Sequence, residues 1–393
     1  MELSHFTFPA GVERVVRGRP ASEVVPELLD RFGYRRVFIV ASRTLNRRTD
    51  VVRDIERQLG NRVVGLTDEV GEHAPINNVL AGARGVAACN ADVILSFGGG
   101  SVLDFCKFVQ LAVSEGAFTK PELLEYQMGM TPDGTEALCT STAEPKVRQI
   151  AVPTTLAAAE WTPSGTPVDE VTRQKVRLRA VRGAPQAIVY DPAMLLHTPT
   201  KLLFATAIRG LDHAINSYTS VRPHPVVDLV SLEAVRLYFA NLPRLAENPA
   251  DLAALSGCQL ATWYTGFGNA TMSPLHGFSH FMVHVLAPFA NVGHSETAAV
   301  LMLAQARWIE AVGTPHYATM LGAIGSKHAR FSDALRELLE TLKLPMTLDD
   351  LGVTPAHVEA ALPLAMKHPM LMRHNVRPLR DENDLRAILA LAR

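Results

Sequence analysis

Short unbroken apolar runs alternate with stretches of helical period along the first half of the chain. Residues 36–41, 92–97, 149–152 and 187–190 are such runs, rich in Val and Ile. Runs without polar alternation suit parallel strands buried on both faces. Between the first two, residues 75–89 set Ala and Leu at helical spacing. The pattern predicts a βαβ, doubly wound parallel sheet.

The period changes after Tyr190-Asp191-Pro192. Residues 208–220, 225–242, 250–266 and 297–312 have helical spacing, and few strand runs remain. The expected architecture is an α/β domain over residues 1–193 and an all-α domain over residues 194–393. Residues 115–146, with several Gly, Pro, Thr and Ser, read as a long surface connection.

Composition narrows the function. The 393 residues carry 38 basic and 39 acidic side chains, a balance that argues against nucleic acid or an anionic membrane as partner. No uncharged apolar stretch is long enough to span a bilayer, and the start does not read as a signal peptide. Cys89, Cys106, Cys139 and Cys258 are scattered, form no C-x-x-C pair, and read as small buried hydrophobes. The expectation is a soluble cytoplasmic enzyme acting on a small molecule. The 14 histidines are unevenly placed, six of them lying between His213 and His294.

Two stretches carry candidate chemistry. The run ending at Phe97 leads into Gly98-Gly99-Gly100-Ser101 and then a helix-compatible stretch. Strand, glycine turn and helix start together make an anion site, because bare glycines admit phosphate and the helix N-terminus offers N–H groups and partial positive charge. Ser101 reads as the N-cap, with Asp104 as its capping-box partner. The string is neither G-x-G-x-x-G nor a P-loop. The next run ends in Thr154-Thr155, whose hydroxyls would face the crevice at the carboxyl edge of the sheet and form a second rim of one nucleotide site.

The second stretch holds His276, His280 and His284 at four-residue intervals, which would share one face of a helix. His294 follows ten residues after His284, and His213 lies in a separate helical segment. Three imidazoles in phase suggest metal binding or proton transfer.

Together these strings resemble the iron-containing alcohol dehydrogenase superfamily along essentially the whole chain. GGGSVLDFCK (98–107) is similar to its cofactor loop, VPTTLAAAEWT (152–162) to its P-T-T segment, and HFMVHVLAPFANVGH (280–294) to its H-x-x-x-H signature with a later His. The resemblance implies a dinucleotide-binding domain, a helical domain and an active site in the cleft between them. It also implies metal ligation by His213, His280 and His294, with His284 near the substrate. The aspartate that completes the ligand set falls at Arg209 here. A divalent ion about 4 Å from a guanidinium would meet repulsion of roughly 8 kcal/mol at an effective dielectric near 20. Asp212 adjoins His213 but projects about 100° away on a helix. The site is therefore expected either to bind a metal, zinc suiting three histidines and a water better than iron, or to be metal-free.

The maleylacetate reductase branch also lacks that aspartate, and is similar in Asn291-Val292-Gly293-His294-Ser295-Glu296, in the shorter P-T-T segment and in Asn375-Val376-Arg377-Pro378. A longer connection through Leu124-Glu125-Tyr126 is more like the metal-dependent branch. The implied reaction is hydride transfer between NAD(H) or NADP(H) and a carbonyl or alcohol. Arg209, His280 and His284 are the catalytic candidates, and an arginine suits a carboxylate-bearing substrate. Ser42, standing where many members keep an acidic residue, with Arg43 beside it, predicts use of both NADH and NADPH. The resemblance also implies a homodimer. Weighed beside it are a metal-dependent dehydrogenase of neutral alcohols, a dehydroquinate synthase-like lyase and an inactive nucleotide-binding protein.

Overall fold

A computed structural model describes residues 11–128, 141–272, 276–368, 371–372 and 375–393. They form two compact units that divide between Thr198 and Pro199.

The amino-terminal unit holds β1 (Arg14–Arg17), β2 (Val37–Ala41), β3 (Val63–Thr67), β4 (Val93–Gly98), β5 (Arg148–Pro153), β6 (Ser164–Gly165), β7 (Leu178–Arg179) and β8 (Ala187–Tyr190). Six of these make one sheet in the order β1-β8-β5-β4-β2-β3, every pair parallel; β6 and β7 form a small antiparallel ribbon. The helices are α1 (Ala21–Phe32), α2 (Arg43–Arg48), α3 (Val51–Leu59), α4 (Ile76–Ala88), α5 (Gly100–Glu115) and α6 (Lys120–Leu124).

The unbroken apolar runs follow from this layering. Alternate strand residues point to opposite faces, and both faces are covered. Phe38, Val40 and Ile94 pack with Val79 and Leu80 of α4 and Phe105 and Val109 of α5. Val37, Ile39, Val93, Leu95 and Ile150 pack with Val24 and Leu28 of α1 and Val52 and Ile55 of α3. Parallel register also aligns the strand ends: Ala41 pairs with Phe97, and Phe97 with Val152. Ser42, Gly98 and Pro153 consequently share one sheet edge.

Residues 115–146 differ from a plain surface connection. They include α6, whose Leu123 is fully buried, and the Glu115 carboxylate accepts from Ser141 Oγ at 2.6 Å and from the amides of Thr142 and Ala143 at 3.0 Å each. One buried leucine and one multiply bonded carboxylate fasten its ends. Residues 129–140, Cys139 among them, lie outside the described residues. Cys106 and Cys258 are buried and free, as expected, while Cys89 is half-buried.

The carboxy-terminal unit is helical: α7 (Thr200–Tyr218), α8 (Pro225–Glu247), α9 (Leu252–Met272), α10 (Phe278–Ala290), α11 (His294–Glu310), α12 (Pro315–Ile324), α13 (Phe331–Thr341), α14 (Pro355–Met366) and α15 (Glu382–Ala390). Each predicted helical segment falls mainly on one of these, usually extended at an end. Helices α7, α10 and α11 pack against one another. Gly277 caps α10 in extended backbone and Asn291 ends it at φ +51°. His276 therefore stands just ahead of α10 instead of on it. Among the described residues no helix is long and apolar enough to cross a membrane.

Candidate active site

The glycine turn lies where the sequence placed it, with β4 ending at Gly98 and α5 beginning at Gly100. Its capping differs. The N-cap is Gly99, without a side-chain cap; Ser101 is already inside the helix, and its Oγ accepts from His73 N at 3.3 Å. Extended glycine backbone let the helix start earlier than the Ser101–Asp104 pattern implied. Asp104 Oδ1 instead accepts from Lys107 Nζ at 2.8 Å.

Lys107 is fully buried and also donates to Ala159 O at 2.6 Å, Ser164 O at 3.2 Å and Thr162 Oγ1 at 3.3 Å. It thereby ties residues 159–164 to α5.

Packing explains two of the three glycines. A Cβ on Gly98 would collide with Val102, and one on Gly99 would stand 2.8 Å from Thr155 Cγ2. A Cβ on Gly100 would find its nearest neighbour, Ala159 Cβ, at an ordinary 3.7 Å. Gly100 has no packing reason to be glycine, and it opens a helix whose first N–H groups lack intrahelical acceptors. The turn fits an anionic pyrophosphate.

Thr154 and Thr155 are buried beside the turn, Thr154 N donating to Gly98 O at 3.0 Å. Ser42 is the N-cap of α2, its Oγ accepting from Leu45 N at 3.3 Å. Nearby, Arg43 pairs with Glu69, and Arg47 grips the buried Asp68 through two bonds of 2.7 and 2.9 Å.

In the helical unit, α7 supplies Arg209, Asp212 and His213, α10 supplies His280 and His284, and α11 begins with His294. The imidazoles form a chain. Ring centres lie 5.2 Å apart for His213–His276, 5.1 Å for His213–His280, 4.4 Å for His276–His280, 5.4 Å for His280–His284 and 4.7 Å for His284–His294. His213, His276 and His280 each present a nitrogen within 4.8 Å of the others. The three nitrogens that gather thus include His276, whereas His294 stands against the exposed His284.

Arg209 reaches this group directly. Its Nη2 lies 3.3 Å from His280 Nδ1, and its Nη1 lies 3.5 Å from Asp212 Oδ2. Asp212 is fully buried, and Oδ1 accepts from Ser279 Oγ at 2.5 Å and Asn216 Nδ2 at 2.9 Å. Burial pushes its carboxyl up to about 6, against the opposing pull of Arg209, Ser279 and Asn216. Burial also holds the His213 and His280 imidazoles well below their ordinary range, and the Arg209 charge and neighbouring histidines add to it.

A polar network that the sequence did not reveal anchors α10. Asn216 Oδ1 accepts from Gly277 N at 2.9 Å and Gln305 Nε2 at 3.1 Å, Gln305 Oε1 accepts from Ser279 N at 2.7 Å, and Asn375 Oδ1 accepts from Phe278 N at 2.6 Å. Arg377 lies 3.5 Å over the Trp308 ring. The Asn375–Arg377 string thus has a structural use.

Does the cluster fit a divalent ion? Three imidazole nitrogens converge suitably. The fourth place, however, holds a guanidinium within hydrogen-bond reach of one of those rings, and Asp212 is engaged by Ser279, Asn216 and Arg209 itself. A like charge where a ligand oxygen belongs makes the set a poor metal cage.

Comparison with known proteins gives a consistent result over both units. Residues 12–192 match the family profile described as iron-containing alcohol dehydrogenase, and residues 203–392 match that of the Fe-containing alcohol dehydrogenase family, C-terminal. A maleylacetate reductase of Burkholderia cepacia is 26% identical over 387 residues, covering 98% of this chain and 97% of that protein. A maleylacetate reductase structure from Agrobacterium tumefaciens superposes with a TM-score of 0.80 at 21% identity, covering 99% of this chain and 98% of the other. A sulfoacetaldehyde reductase from Bifidobacterium kashiwanohense, in complex with NAD+, gives a TM-score of 0.86 at 18% identity, covering 100% of this chain and 99% of that one.

Proposed function

Because this chain belongs to the iron-containing alcohol dehydrogenase family, oxidoreductases that act on CH–OH or C=O groups, we propose that it reduces a carboxylate-bearing oxo compound with NADH or NADPH. The likeness to maleylacetate reductases, one of them 26% identical, supports a carboxylate-bearing substrate; with maleylacetate itself the hydride would go to its C=C bond. The observation that carries the reading is Arg209: a buried guanidinium among imidazoles, whose Nη1 is met only by the long 3.5 Å ion pair to Asp212 Oδ2. A buried donor met only at that distance can donate to a closer oxygen, and a substrate carboxylate matches its charge.

The Gly98–Gly100 turn and Ser101 would hold the pyrophosphate, Thr154 and Thr155 its second rim, and Ser42 the far ribose. Bound there, the reduced nicotinamide supplies a hydride to an electrophilic carbon. Arg209 orients the carboxylate and stabilises the negative charge that gathers on oxygen when the C=O pair moves onto it. His284, exposed and 5.4 Å ring to ring from His280, delivers the proton that completes the hydroxyl and is reprotonated by solvent. A cytoplasmic homodimer completes the reading, on the support of the family likeness.

The test is the absorbance of NADH and NADPH at the nicotinamide band with a panel of oxo-acids and aldehydes. Arg209→Ala should raise KM for carboxylated substrates by about tenfold or more, roughly 1.4 kcal/mol upward. An equal effect on neutral aldehydes overturns the carboxylate assignment. A second reading, a metal-dependent dehydrogenase of neutral alcohols, is favoured by the three convergent nitrogens of His213, His276 and His280. One equivalent of tightly held metal, with activity lost on chelation, would establish it.

A further inference from the structure

The contact between Arg209 and His280 fixes more than a position. A guanidinium carries only donors and keeps its charge in proteins. At the 3.3 Å contact between Arg209 Nη2 and His280 Nδ1, the ring nitrogen must therefore be the acceptor. A doubly protonated imidazolium would set two donors against each other there, so the ring is neutral. A neutral imidazole that accepts at Nδ1 carries its single proton on Nε2.

We propose that Arg209, held by its buried counter-ion Asp212, is a positioning residue that locks His280 as the Nε2–H tautomer. His280 thereby becomes a hydrogen-bond donor to the substrate oxygen and is removed from the metal-ligand set. Both nitrogens are committed: Nδ1 to the guanidinium and Nε2 to its own proton, and a metal needs a bare lone pair. The inference rests on the hydride-transfer reading only for the identity of the oxygen that Nε2–H meets.

The surroundings agree. Arg209 and Asp212 stand three apart on α7, where side chains share a face. Asp212 Oδ1 is braced by Ser279 Oγ at 2.5 Å, and Ser279 immediately precedes His280. One carboxylate therefore steadies the arginine through Oδ2, at 3.5 Å, and the turn bearing His280 through Oδ1. A neutral histidine in this role polarises a carbonyl by hydrogen bonding alone. It does not become anionic, so the transferred proton must come from elsewhere, and His284 is the exposed neighbour on the same helix.

Nitrogen-15 NMR of the full chain labelled at histidine tests the assignment without substrate. In the native protein His280 should show the proton on Nε2 alone. Arg209→Met, which removes the donor but keeps length, should give a mixture of tautomers. Calorimetry with zinc ion gives an independent reading: no stoichiometric high-affinity binding to the native chain, and a gain of one site in Arg209→Asp, affinity rising at least about a hundredfold. A proton on Nδ1 of His280, or one equivalent of zinc bound tightly by the native protein, overturns the proposal. Both measurements ignore substrate, so a failed substrate assay leaves them standing. Should Arg209→Asp not fold, by circular dichroism, the native spectrum alone decides.

Discussion

Gly99 packs against Thr155 so closely that a single added carbon would be 2.8 Å from the threonine methyl. One position later the same carbon has room, 3.7 Å from Ala159 Cβ. The two glycines therefore respond differently to the same change. Gly99→Ala should destabilise the amino-terminal unit by about 1–3 kcal/mol through overpacking. Gly100→Ala should melt within a few degrees of the native chain yet raise the KM for nicotinamide cofactor by about tenfold, because the methyl group occupies the phosphate seat. An unchanged KM in Gly100→Ala would remove the pyrophosphate from this turn.

Lys107 is a positive charge with no solvent, held by one carboxylate and three oxygens. Lys107→Met keeps the volume and takes the donor from Asp104 Oδ1 and Ala159 O, while Ser164 O keeps its bond from Thr162 Oγ1 at 2.7 Å, at a cost of about 2–4 kcal/mol. Chemical denaturation is the measurement. A cost under about 1 kcal/mol would mean that water replaces the ammonium.

Cofactor choice should be permissive. Ser42 presents no carboxylate to a 2′-phosphate, and the acids nearby, Asp68 and Glu69, are already paired with Arg47 and Arg43. Comparable kcat/KM for NADH and NADPH, within about tenfold, is the expectation. A preference for NADH of about a thousandfold, some 4 kcal/mol, would refute it.

Asp169 governs part of the acid response. The hydrogen bond from Lys120, against the opposing effect of burial and with help from the Val171 and Thr172 amides, holds its carboxyl down at about 2. A depressed acid stabilises the fold above its unfolded value near 4 and loses that contribution as pH falls toward 2. Asp169→Asn should accordingly flatten the melting temperature between about pH 4 and pH 2. Equal slopes for variant and native protein would detach Asp169 from acid stability.

Where a signal was periodic, the sequence was informative. The parallel strands were visible because burial on both faces leaves no polar beat, and part of the histidine chain because His276, His280 and His284 recur every fourth residue. Two features were misread locally. The Ser101–Asp104 pattern fits a capping box, but glycine backbone at residues 99–100 offered an earlier start, and Asp104 found Lys107 instead. His276 fits the same helical face, but Gly277 begins the helix after it.

The network of Asn216, Gln305 and Asn375 had no signal at all. Amides far apart in sequence leave no spacing to detect, and each is unremarkable alone. The Arg209–Asp212 pair was detectable, since three-residue spacing is the usual one for an ion pair on a helix. Reading Asp212 only as a potential metal ligand concealed its use as a counter-ion.

The sheet order bears on how the chain acquires this fold. Strand β1, near the start, has its partner in β8, so Arg14 waits for Ala187. Strands β2, β3 and β4 are neighbours in sequence and can meet early, while the β1–β8 pairing closes the longest loop in the unit. Strand β1 is therefore synthesised long before its partner β8. Until it docks, β8 keeps a bare backbone edge beside apolar side chains. An unpaired edge of that kind is open to wrong pairing until β1 covers it.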